Sequence, residues 1–269
     1  MTFPYGDRLM HSLVAFDANA PEQCRIIEDE RYYFKDKTTI AKSGALLSFK
    51  GGNPVEVQKY TDPTEPEKMT VTMLPSLPVE SVYEYFALAN VRDQRIVLTG
   101  GADEDGLSKK VFMFDLNTEQ WLGPQPELNK ARRYHGSCSV GDNVFVFGGK
   151  GESFDLLDSI EMLAMTGPRE WFSFTVSGLS AREQPLVANV SESKILVLGG
   201  LGESDILDTT GMIVAVNKSD GGNKEVEHED ARFECQRNSW CASGDGSIVA
   251  LVEDEAVNLK VVKISADGQ

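Results

Sequence analysis

Four glycine pairs return at nearly even intervals along this 269-residue chain: Gly51-Gly52, Gly100-Gly101, Gly148-Gly149 and Gly199-Gly200. The steps are 49, 48 and 51 residues. A period near 50 is the mark of supersecondary units that stack into solenoids or propellers. Each of the last three pairs closes a short apolar run: RIVLTGG (95–101), NVFVFGG (143–149) and KILVLGG (194–200). ALLSFKGG (45–52) is a weaker version. Short runs rich in β-branched and aromatic residues and stopped by glycine read as buried strands. Paired glycines allow a tight turn and a close backbone approach that a Cβ would block.

Further strands flank each run. After the pairs come PVEVQKY (54–60) with KMTVTML (68–74), then KKVFMFDL (109–116) with Trp121, LDSIEMLAM (157–165) with Trp171, and TTGMIVAV (209–216). Before the last three come YEYFALANV (83–91), RRYHGSCSV (132–140) and EQPLVANVS (183–191). Four strands per unit make an antiparallel blade with two apolar faces, so neighbouring blades must stack to bury them. A sandwich is the competing all-β fold, but it does not need this period. Leu157, Ile160 and Leu163 fall at helical spacing, yet their place in the repeat assigns them to a strand.

These units resemble kelch repeats, in which a glycine pair follows a hydrophobic strand, then comes an aromatic-bearing strand, then a Trp after a short turn. The best matches are Gly100-Gly101 with Phe112, Phe114 and Trp121, and Gly148-Gly149 with Trp171. Gly199-Gly200 has no matching Trp, and the first unit keeps only Gly51-Gly52. The resemblance is strong over residues 77–216 and weak at both ends. It implies an all-β, kelch-type β-propeller of four-stranded antiparallel blades, one domain over residues 1–269. The leftover strands are LMHSLVAFD (9–17), QCRIIE (23–28), SWCAS (239–243), SIVALVE (247–253) and NLKVVKI (258–264). Family propellers often close by pairing N- and C-terminal strands in one blade, which removes open edges. Five blades are expected on this count, with six as the alternative.

The sequence offers little for chemistry. His11, His135 and His228 lie apart and form no HExxH motif, and Cys235 and Cys241 lack the tight pairing of a zinc site. GGKGES (148–153) lacks Walker spacing, and no serine sits in a GxSxG elbow. The run Glu225–Asp230, acidic with one histidine, reads as a solvated loop. Hence no catalytic residue, no metal and no cofactor is expected. A net charge of −16, from 42 Asp and Glu against 26 Lys and Arg, disfavours nucleic acid and anionic membranes. No apolar run approaches a membrane span, the N-terminal residues make a poor signal peptide, and the four cysteines are scattered. A cytoplasmic location is the expectation.

Function should then reside in loops held by rigid blades. In the family, arginine and aromatic residues ahead of the glycine strands often line the ligand-facing mouth. That implies a partner-binding set of Tyr83, Tyr85, Phe86, Arg132, Arg133, Tyr134 and Arg182. Arginines at such a mouth suit an acidic peptide, and tyrosine adds amphipathic contact area. The loops after the glycine pairs, ADEDG (102–106), GESFDLLD (151–158) and GESDILD (202–208), read as an acidic rim. The expected role is a non-catalytic scaffold for a protein or peptide of unknown identity. The alternatives are a structural subunit of a larger complex, a substrate-recognition module of a ubiquitin ligase, or a small metal-assisted enzyme.

Overall fold

The glycine-stopped runs are strands, and each is the second strand of an antiparallel sheet. The computed structural model describes residues 12–17, 20–28, 37–40, 43–79, 83–191, 194–202, 211–215, 226–227, 240–242, 248–253 and 259–264. The first described strands are a hairpin, β1 (Ser12–Asp17) and β2 (Ala20–Glu28). Next, β3 (Lys37–Ile40), β4 (Leu46–Lys50), β5 (Glu56–Thr61) and β6 (Thr70–Leu74) form a four-stranded sheet. The second such sheet holds β7 (Ala87–Val91) and β8 (Arg95–Thr99). A two-stranded ribbon, β9 (Ala102–Asp103) and β10 (Gly106–Leu107), separates them from β11 (Val111–Asp115) and β12 (Gln120–Trp121), which complete it.

The third sheet is β13 (Gly136–Val140), β14 (Asn143–Phe147), β15 (Ile160–Ala164) and β16 (Trp171–Phe174). The fourth is β17 (Leu186–Ser191), β18 (Lys194–Leu198), β19 (Gly211–Ala215) and β20 (Val226–Glu227). A three-stranded sheet follows, β21 (Trp240–Ala242), β22 (Ile248–Glu253) and β23 (Leu259–Ile264). The first strands β3, β7, β13, β17 and β21 are successive neighbours, so the sheets stand side by side as blades with those strands innermost. Among the described residues there is no helix, and LDSIEMLAM supplies strand β15.

Period-two alternation explains the stacking, because it sends successive side chains to opposite faces. Ile96 and Leu98 of β8 enter a core shared with Phe49, Val57 and Leu74 of the first blade. Val97, between them, enters a core with Val144, Val146 and Leu163 of the third. Phe145 and Phe147 face the other way, onto Val187, Ile195 and Val197 of the fourth. A blade with two apolar faces has no stable solution without neighbours on both sides.

The outer edge is joined by tryptophan. Trp121 Nε1 donates to Pro75 O at 2.8 Å, just beyond the last strand of the preceding blade. Trp171 Nε1 repeats this to Pro126 O at 2.9 Å. The inner edge is joined by the glycine pairs. Gly149 N donates to Arg182 O of the next blade at 2.8 Å. A Cβ on Gly149, whose φ is +96°, would stand 2.6 Å from Arg133 O. A Cβ on Gly148 would stand 2.5 Å from Arg182 O. The pair is thus wedged between carbonyls of two blades, and Gly100-Gly101 repeats the geometry against Arg132 O and Glu84 O.

Three expectations change. The predicted inner strands are too long: 83–91, 132–140 and 183–191 become Ala87–Val91, Gly136–Val140 and Leu186–Ser191. Tyr85, Tyr134 and Gln184 adopt φ of 60°, 55° and 54°, and a left-handed residue breaks the extension there. Strand β3 carried no glycine signal and was not foreseen. Val226–Glu227, read as loop, pairs with β19, while the rest of 225–230 lies outside the described residues.

Two substitutions separate these contacts. Trp171→Phe keeps one aromatic ring but removes the indole N–H with its hydrogen bond and part of the buried ring system, so it should cost about 1–2 kcal/mol in urea unfolding. Gly149→Ala meets both a carbonyl and a positive φ and should cost at least about 2 kcal/mol. A smaller loss at Gly149 than at Trp171 would show that the inner contact is not the tighter constraint.

Candidate functional site

Ahead of each inner strand, four residues cross over the glycine pair in one recurring pattern: Tyr83–Phe86, Arg132–His135 and 182–185. The first position points inward. Tyr83 donates to Gly100 O and also lies 3.1 Å from Ser108 Oγ. Arg132 Nη1 donates to Gly148 O at 2.8 Å, and Arg182 Nη1 donates to Gly199 O at 3.0 Å. Each long side chain therefore bonds the carbonyl of the first glycine of its own blade. The second position, Glu84, Arg133 or Glu183, forms a backbone bridge with Ala102, Lys150 or Leu201. The third, Tyr85, Tyr134 or Gln184, is left-handed and joins blade to blade: Tyr134 N donates to Tyr85 O at 3.3 Å and Gln184 N to Tyr134 O at 2.6 Å. The fourth, Phe86, His135 or Pro185, is buried.

This pattern divides the predicted partner-binding set. Tyr83, Phe86, Arg132 and Arg182 are buried, with their polar groups engaged inside the blades, so they offer no surface to a partner. Arg132 is fully buried and pairs with Glu161 at 2.6 Å. Its Nη1 also reaches Ser159 O and its Nη2 reaches Ser159 Oγ, while Nε is buried without a partner. Glu161 also accepts from Asn129 N at 2.6 Å and Lys130 N at 3.1 Å, so this ion pair braces the loop ahead of β13. Phe86 stacks on Tyr83 at 6.1 Å between ring centroids. Burial drives the His135 pKa well below the ordinary imidazole value, and the Arg132 and Lys37 charges push the same way.

The structure brings the other three together. The Arg133 guanidinium carbon lies 5.1 Å from the Tyr134 ring centroid and 5.9 Å from that of Tyr85. The two tyrosine rings are 4.7 Å apart. Phe154, from the loop after Gly148-Gly149, adds a third ring at 5.5 Å. All three distances fall inside the range of cation–π attraction. Tyr85 is 44% exposed and Phe154 is 72% exposed, values far from those of a core. Hydrogen bonding to Glu84 raises the Tyr85 phenol pKa above its ordinary value, with neighbouring Tyr134 adding to the shift. Beside the cluster, Lys150 pairs with the buried Glu183 at 3.1 Å.

Phe154 was missed as a site residue. Its only sequence signal is a lone aromatic in a loop read as acidic rim. Phe154, Tyr85 and Tyr134 share positive φ values of 60°, 60° and 55°. Bulky residues held there cost about 1–3 kcal/mol each and collect where geometry matters to function. Among the described residues, no group of three or more His, Cys, Asp or Glu side chains could hold a metal. His11, His228 and Cys235 lie outside those residues, as does most of GESDILD (202–208).

Comparison with known proteins agrees with this architecture. No model of a known protein family matches the chain. Over 127 residues it is 27% identical to the Kelch domain-containing protein 3 of Homo sapiens, a match covering 46% of this chain and 33% of that protein. The protein of the same name from Bos taurus matches equally. The chain thus spans about a third of the length of these curated relatives. The solved structure titled "Structure of YjhT" aligns with a TM-score of 0.66, over 90% of this chain and 85% of that one, at 13% identity. The chain has a kelch-type β-propeller fold. In this kelch propeller the glycine pairs and Trp121 and Trp171 are joints between blades, and the exposed aromatic cluster belongs to the loops above them.

Adjacent arginines should therefore behave oppositely. Arg132→Ala leaves Glu161 buried without its charged partner and should cost about 3–5 kcal/mol, whereas Arg133→Ala should cost less than about 1. Denaturant unfolding of both checks the assignment. His135 gives a pH test. Its folded-state pKa is depressed, so the unfolded chain takes up its proton first. Stability from this group is complete above about pH 6.5 and falls as pH drops below it, by up to about 1.4 kcal/mol per pH unit. His135→Gln should flatten that slope between about pH 6.5 and 5, ahead of carboxylate titration. An unchanged slope would mean that His135 titrates freely.

Proposed function

We propose that this kelch propeller is a non-catalytic scaffold that holds a protein or peptide partner on its loop face, at the cluster of Tyr85, Arg133, Tyr134 and Phe154. One observation carries the reading: three aromatic rings, two of them well exposed, are fixed around one guanidinium. Aromatic residues and arginine dominate binding hot spots because they supply large contact area at low entropic cost. The surrounding rings restrict the Arg133 guanidinium before a ligand arrives, which lowers the entropy cost of using its Nη donors. A planar donor fork of this kind suits a carboxylate, such as an Asp or Glu side chain of the partner. We also propose that the chain forms one ring closed by strands from both ends, supported by β2 lying against β23.

The test is recovery of partners by the full chain against Arg133→Ala/Phe154→Ala, with unfolding curves run in parallel. A specific partner should be retained by the wild type and lost at least tenfold in the double variant, while the unfolding midpoint changes little. Equal recovery by both would remove the cluster from the binding role.

A further inference from the structure

A second site lies on the far side of the Phe154 loop. There a cleft of about 270 Å³ opens between the second and third blades. Its lining brings Lys109 and Lys130 together with Glu152 and Asp155, beside Gly151 and Ser153. All four charged side chains are exposed, and none forms an ion pair with another described residue. That departs from the neighbourhood, where Lys110 pairs with Asp103 at 2.9 Å and Lys150 with Glu183 at 3.1 Å.

Both segments of this lining are held in place. Leu128 N donates to Lys109 O at 2.9 Å, and Glu161 fixes the backbone amides of Asn129 and Lys130. In the other segment, Gly151 N donates to Asp155 O at 2.9 Å, and Leu157 N to Gly149 O at 2.9 Å. With the backbone braced on both segments, a ligand that bridges these charges orders only their side chains.

We propose that this cleft binds a small ligand carrying both an ammonium and an anionic group, in the manner of a free acidic amino acid. The ammonium faces Glu152 and Asp155, and the carboxylates face Lys109 and Lys130. The volume sets the size class, since it falls below the roughly 300 Å³ at which pockets for drug-sized molecules begin. None of its charged residues belongs to the Arg133 cluster, so the proposal does not rest on that cluster.

Calorimetric titration with L-glutamate is the test, using N-acetyl-L-glutamate and putrescine as probes lacking one charge type. Saturable L-glutamate binding is expected, weakened at least tenfold in Lys109→Ala/Lys130→Ala and in Glu152→Gln/Asp155→Asn, with both single-sign probes weaker than L-glutamate. These side chains are exposed, so unfolding curves should be unchanged. Arg133→Ala should bind L-glutamate normally, which keeps this result separate from the fate of the partner-binding cluster. Absence of saturable heat up to about 10 mM, a Kd of only −2.7 kcal/mol or so, would overturn the proposal. Wild-type affinity in either double variant, or affinity for the acetylated probe equal to that for L-glutamate, would do the same.

Discussion

Two carbonyl oxygens stand where glycine side chains would otherwise be, and the blades depend on that arrangement. At Gly148-Gly149 the oxygens belong to Arg182 and Arg133; at Gly100-Gly101 they belong to Arg132 and Glu84. One oxygen of each pair comes from the same blade and the other from the next. The contact therefore sets the spacing of blades at their inner edge, where the innermost strands must approach one another. Apolar alternation then fills the space between blades, and Trp121 and Trp171 bond across it further out. The glycine contact is a steric limit while the apolar cores are a driving force, and the fold needs both.

The same contact creates the surface above it. Chain crossing a glycine pair must offer its carbonyls downward and still enter the next inner strand. Tyr85, Tyr134 and Gln184 manage this by turning left-handed. The turn lifts the third residue of each crossing toward the loop face, and it seals the first and fourth inside. Arg132 and Arg133 are adjacent in sequence, yet one is an internal brace and the other lies on aromatic rings. A structural repeat thereby yields a repeated exposed position, which side-chain identity then specialises.

Much of the architecture was legible because its cause is periodic and local. Glycine pairs, the strands that they stop and the two tryptophans are all written at fixed spacing, and β15 was rightly separated from its helical look by register alone. The ends of the inner strands were not legible, because nothing in YEYF or RRYH marks the left-handed residue. Strand β3 escaped because KTTI is short and carries no glycine signal. Of the residues expected from their position ahead of the glycine strands, Tyr85, Arg133 and Tyr134 come together at the loop face, while Tyr83, Phe86, Arg132 and Arg182 lie inside the blades. Phe154 went unnoticed because its cation, Arg133, comes from a separate loop of the same blade, distant from it in sequence.

The sequence by itself determined that this chain must build stacked four-stranded blades, since strands with two apolar faces and a glycine stop have no other economical way to be buried. Tertiary structure alone decided which residues reach the loop face and which charges line the cleft that holds Lys130 and Asp155. The reason is physical. Periodicity is set by neighbours along the chain, whereas exposure at the loop face depends on a single backbone torsion and on the blade that happens to stand alongside.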